Sequence, residues 1–91
     1  MSETVTGQVV INDPDGLHAR PAVKLTKLAK SFCSDIAIKA GDDGEWINAK
    51  SLSAVMKLKA RHGAILHVRA TGEDARGGVD ALIDLIKQNM G

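Results

Sequence analysis

The chain has 91 residues, with 12 Lys and Arg against 11 Asp and Glu, 44% hydrophobic residues and 25% charged ones. That length and composition describe one ordinary globular domain over residues 1–91, with room for one hydrophobic core and not for two. A net charge of +1 and only two aromatic residues, Phe32 and Trp46, argue against a nucleic-acid binder, and no apolar run approaches the ~20 residues of a membrane span.

The N-terminal Met-Ser-Glu-Thr lacks a signal-peptide pattern, and Cys33 is the sole cysteine, so a cytoplasmic protein without an internal disulfide is expected. Thr4 to Ile11 is rich in β-branched residues, with Val5, Val9 and Ile11 on one side, and reads as a strand. The turn formers Asn12-Asp13-Pro14-Asp15-Gly16 follow. From about Ala19 to Phe32, Ala22, Leu25, Leu28, Ala29 and Phe32 recur at helical spacing, opposite Lys24, Lys27 and Lys30. Pro21 favours a start at its own position, because it restricts Arg20, while the spacing also fits a start at Ala19.

Asp35 to Ala40 alternates as a second strand, Gly41-Asp42-Asp43-Gly44 signals a hairpin, and Glu45 to Ala49 forms a third strand. Ser51 opens and caps a short helix through Leu52, Val55, Met56 and Leu58, which Arg61-His62-Gly63 ends. Ala64 to Ala70 is the fourth strand. Thr71-Gly72-Glu73-Asp74 reads as a helix start with acidic residues in the first turn, and Val79, Leu82, Ile83, Ile86 and Met90 make the inward stripe of the last helix. Gly77-Gly78 inside that helix costs about 1 kcal/mol each relative to alanine, so the first turn is expected to fray. Alternation in every strand gives the sheet one covered face. The predicted architecture is α+β, an open-faced β-sandwich with a four-stranded antiparallel sheet and three helices on one face, in the order β-α-β-β-α-β-α.

Gly16-Leu17-His18-Ala19-Arg20-Pro21 concentrates the chemistry. A helix start presents backbone N–H groups and the positive end of a dipole, which suits an anion. The same field disfavours an imidazolium at His18 and so favours a ring with one unprotonated, nucleophilic nitrogen. Arg20 adds a fixed positive charge for a phosphate, Leu17 anchors the loop and Pro21 fixes the backbone. His62 and His67 lack Cys or acidic neighbours at metal-ligand spacing and read as structural.

Gly16-Leu17-His18-Ala19-Arg20-Pro21-Ala22 resembles the active-site motif of the HPr family, the histidine-containing phosphocarriers of the bacterial phosphoenolpyruvate-dependent sugar phosphotransferase system. The likeness extends over nearly the whole chain, including Ala49-Lys50-Ser51-Leu52 where the family has its regulatory serine and second helix. The resemblance implies that His18 takes a phosphoryl group on Nδ1 from enzyme I and passes it to a histidine of an enzyme IIA domain, with Arg20 assisting transfer. It also implies a cytoplasmic monomer that uses neither cofactor nor metal and is not itself an enzyme. Ser51 would be the target of a serine kinase where one exists. The docking face would combine Ala19, Arg20, Lys24 and Lys27 with Leu52 and Met56 as its apolar centre; the alternative is that Leu52 and Met56 are core.

Three positions depart from the family pattern. Ser53 stands where many members carry a larger apolar residue, Lys59 where many have the glycine that ends the second helix, and the loop at Gly41 to Gly44 is longer than usual. The competing function is a regulatory or nitrogen-branch paralogue that acts through protein binding. The intact His18–Arg20 pair favours the carrier.

Overall fold

The computed structural model describes residues 3–88. Strand β1 (Glu3–Val10) is followed by helix α1 (Ala19–Lys30), strands β2 (Asp35–Ala40) and β3 (Ile47–Asn48), helix α2 (Leu52–Leu58), strand β4 (Ile65–Gly72) and helix α3 (Ala75–Lys87). All strand pairings are antiparallel, and the order across the sheet is β1-β4-β2-β3. The α+β open-faced sandwich is therefore the fold. Its strand order, with β4 between β1 and β2, is a property that alternation within single strands does not encode.

Register follows from the buried set. Val9 pairs with Leu66, Ile36 with Ala70, and Ile38 with both Val68 and Ile47. A slip of one residue would turn this apolar face to water. Onto it pack Ala22, Leu25 and Ala29 of α1, Val55 of α2, and Ala75, Val79, Leu82 and Ile86 of α3, all buried. Each large aliphatic side chain fully buried here contributes about 1.5–3 kcal/mol. Helix α3 can come close because β1 and α3 each offer a glycine at the contact. A Cβ on Gly7 would stand 2.6 Å from Ile83 Cδ1, and one on Gly78 3.1 Å from Ile36 Cδ1.

Several local expectations are revised. The third strand is confined to Ile47–Asn48, because residues 41–46 form the connection. Trp46 lies on the uncovered side, with the Lys39 ammonium 5.1 Å and the Arg69 guanidinium 4.4 Å from its ring centre. The fourth strand runs on to Gly72. Helix α3 has no acidic residue in its first turn. Its N-cap Asp74 instead turns its carboxylate to the α1–β2 corner, where it accepts hydrogen bonds from the N–H groups of Cys33 (2.9 Å) and Ser34 (2.8 Å) and from the Ser34 hydroxyl. The Ser34 hydroxyl first, and then the Cys33 N–H, hold the Asp74 carboxyl below the usual aspartate range. The glycine-bearing first turn of α3 is formed, with Gly78 N–H on the Asp74 carbonyl at 3.0 Å. Met90, expected on the inward stripe, lies outside the described residues. Among the described residues, no helix is long and apolar enough to cross a membrane.

Candidate functional site

The loop between β1 and α1 is built by its own turn residues. Asp13 Oδ1 accepts the Asp15 N–H at 2.9 Å, and the Asp13 carbonyl accepts the Gly16 N–H at 2.9 Å. Gly16 has φ +72°, and a Cβ there would collide with the Ala60 carbonyl oxygen, so glycine is required twice over. That close approach lets Leu17 donate its N–H to Ala60 at 2.8 Å while its side chain is buried. His18 is then delivered to the rim as the N-cap of α1, with extended backbone (φ −90°, ψ −168°) and no capping bond from its side chain. Its carbonyl accepts the Ala22 N–H at 3.0 Å. The helix starts at Ala19, which puts Pro21 in the third position, where a backbone N–H would have no carbonyl within the helix to bond.

The imidazole of His18 is 35% exposed. Nε2 is buried and faces Asp13 Oδ2 at 3.4 Å, and neither of these atoms has a hydrogen-bond partner among the described residues. Asp13 itself is only 8% exposed, an unusual burial for a carboxylate. Asp13, Asp15 and His18 bring one potential ligand atom each within 4.8 Å. Two of the contacts that knit this cluster are internal to it, the Asp15 N–H on Asp13 and the Asp13–His18 approach. From sequence alone Asp13 reads as a turn former only. The available signal was Asp-x-x-x-x-His across a tight turn, which is weak without the fold.

On α1, Ala19, Arg20 and Lys27 are exposed and Lys24 is half-buried. Leu52 and Met56 on α2 are each 41% exposed, whereas Val55 between them is fully buried. The structure thus leaves Leu52 and Met56 at the surface rather than in the core. Met56, Lys59, Arg61 and His62 line one open recess with His18 and Asp15. His62, read from sequence as a turn residue, belongs to this rim, brought there by the chain reversal after α2. His67 does not; it lies on the uncovered face of the sheet with Nε2 3.1 Å from Asp42 Oδ1. Ser51 is the N-cap of α2, and its Oγ accepts the Ala54 N–H at 3.4 Å. Lys59 closes that helix in the left-handed conformation, with φ 51° and ψ 40°.

Comparison with known proteins agrees with this geometry. A family model described as the PTS HPr component phosphorylation site matches residues 5–88. The phosphocarrier protein HPr of Haloferax volcanii is 36% identical over 86 residues, covering 94% of this chain and 92% of that protein. The phosphoryl donor subunit DhaM of the PEP-dependent dihydroxyacetone kinase of Providencia stuartii is 32% identical over 98% of this chain, which spans 18% of that protein. The crystal structure of HPr-C-His from Thermoanaerobacter tengcongensis superposes with a TM-score of 0.87 at 33% identity, covering 96% of each chain.

Proposed function

This chain belongs to the HPr family and is a phosphocarrier, and on that premise we propose that His18 is the residue that carries its phosphoryl group. The observation that carries the reading is the partial exposure of the His18 ring at the N-terminus of α1, with Nε2 buried against Asp13. Nδ1 is then the nucleophile. The helix dipole and the first-turn N–H groups favour the phosphate once it is attached. Arg20, in the second position of the helix, supplies positive charge to the transferring group.

The chain has little chemical apparatus beyond this, so transfer depends on positioning within a docked complex. The donor is enzyme I, loaded from phosphoenolpyruvate, and the acceptor is a histidine on an enzyme IIA domain, met by a cytoplasmic monomer. Leu52 and Met56 form the apolar centre of the docking face, with Ala19, Arg20, Lys24 and Lys27 at its rim. This mixture of an exposed apolar pair and nearby cations suits a partner surface with acidic residues around an apolar patch.

Incubation with phosphoenolpyruvate, magnesium and a bacterial enzyme I tests the assignment by intact mass. One acid-labile, base-stable phosphate, about 80 Da as expected for phosphoryl transfer, should appear on the wild type and be lost in His18→Ala. Stable labelling of His18→Ala would refute the site. An unlabelled wild type would favour the regulatory binding module instead. Arg20→Ala should transfer more slowly with its fold retained, and an unchanged rate would remove that guanidinium from the mechanism.

A further inference from the structure

We propose that Asp13 is a positioning residue for phosphoryl transfer: its carboxylate keeps the proton of the His18 ring on Nε2, so that Nδ1 takes and gives the phosphoryl group without any proton changing place. The inference rests on His18 being the phosphorylated residue.

Two buried atoms face each other at the start of α1. Asp13 Oδ2 and His18 Nε2 lie 3.4 Å apart, each without a hydrogen-bond partner among the described residues. A carboxylate oxygen can only accept, and an imidazole nitrogen that carries a lone pair can also only accept. With the proton on Nδ1 the pair would be two acceptors in contact, shielded from water. With the proton on Nε2 the same contact sets a polarised N–H beside a carboxylate oxygen, an electrostatic pairing that favours this tautomer. The carboxylate is not free to turn away, because Oδ1 is held by the Asp15 N–H at 2.9 Å.

The other charged or titratable groups around the ring are Asp15 on the same loop, Arg20 on α1, and Lys59, Arg61 and His62 beyond α2. Lys59, Arg61 and His62 line the open recess that a phosphate would enter, whereas the Asp13 carboxylate lies against the buried nitrogen.

The transfer then balances simply. On loading, the Nδ1 lone pair attacks phosphorus, the bond from phosphorus to the donor breaks, and that electron pair leaves with the donor. The ring, with Nε2 still protonated, becomes a phosphorylated imidazolium whose charge rests against Asp13. On delivery the acceptor attacks phosphorus, the Nδ1–P bond breaks, and its electron pair returns to Nδ1. The ring departs as neutral imidazole. Without the Nε2 proton it would have to leave as imidazolate, a far poorer leaving group.

Phosphoramidate phosphorylates exposed imidazole nitrogens without a protein partner, so it separates this inference from the identity of the donor. Nitrogen-15 and phosphorus-31 spectra of the wild type should show the proton on Nε2 before phosphorylation and the phosphate on Nδ1 after it. Asp13→Asn keeps an oxygen for the Asp15 N–H but removes the charge. In that variant the phosphorylated ring should lose its Nε2 proton at lower pH than in the wild type. Transfer to and from partners should slow about tenfold, as for other residues that orient a functional histidine. Asp13→Glu should recover part of that rate. A wild-type ring protonated on Nδ1 would overturn the proposal without reference to any variant. So would an Asp13→Asn protein with wild-type titration and transfer rates. A wild type labelled at a residue other than His18 would refute the underlying site instead, an outcome distinct from either.

Discussion

Lys59 is the one described residue other than glycine with a positive φ, at 51°. A side chain in the left-handed region costs on the order of 1 kcal/mol, because Cβ crowds the following carbonyl. Here that cost ends α2, where glycine would end it freely. Lys59→Gly should therefore raise stability by about 0.5–1 kcal/mol, the gain in the folded state being reduced by the greater freedom of glycine in the unfolded one. Urea unfolding should show a higher midpoint at unchanged slope. A lower midpoint would mean that the Lys59 side chain has contacts worth more than the strain. Residues differ in how well sequence announces them. His18 stands out in the sequence because the features that mark it, Leu17 and Arg20, lie within two positions of it. Asp13 was not, because its role depends on a loop folding back until a carboxylate meets a ring.

The two helices of the proposed docking face differ in how far their spacing can be read. The amphipathic spacing of α1 identified Ala22, Leu25 and Ala29 as core, and all three are buried. Helix α2 has seven residues, too few turns for periodicity to separate a buried Val55 from an exposed Leu52 and Met56. The third strand was overestimated for a related reason. Its alternation continues through Glu45 and Trp46, but the Trp46 ring packs against Lys39 and Arg69 and the ladder stops at Ile47. At the start of α2, Ser51 caps through its hydroxyl, and Ser51→Ala should cost about 0.5–1 kcal/mol in thermal or urea unfolding. Ser51→Asp preserves a capping oxygen and adds a negative charge beside Leu52. It should leave stability near wild type while weakening enzyme I binding several-fold at low salt, an effect that fades as salt rises. Equal affinity in a calorimetric titration would show that a charge at this helix start lies outside the docking face.

At the scale of the whole molecule, the sheet's strand order leaves the N-terminus of α3 next to the corner that joins α1 to β2, and one carboxylate spans them. Asp74 accepts from the Cys33 and Ser34 N–H groups and from the Ser34 hydroxyl, linking positions 40 and 41 residues apart in sequence. A contact of that separation restrains α1 against α3, and α1 carries His18 at its start, so the clip contributes to the rigidity of the platform from which phosphate is handed on. These bonds favour the ionised carboxylate and hold it below its ordinary range in the folded protein. The sign of the linkage follows. A depressed folded value means that the unfolded chain takes up the proton first, so the stabilisation is complete above the ordinary aspartate range, about pH 4. It is lost as the pH falls from there through the depressed folded value. Asp74→Ala should accordingly lower the melting temperature clearly at pH 7, and the gap to the wild type should narrow as the pH falls below about 4. Melting curves at closely spaced pH values would decide the matter. A gap that stays constant down to pH 2 would show that the carboxylate's charge contributes nothing and that its place could be taken by any acceptor of the same shape. Ser34→Ala provides the complementary measurement. It removes the largest cause of the depressed value while leaving both backbone donors, so its own gap should follow the same pH course with a smaller amplitude.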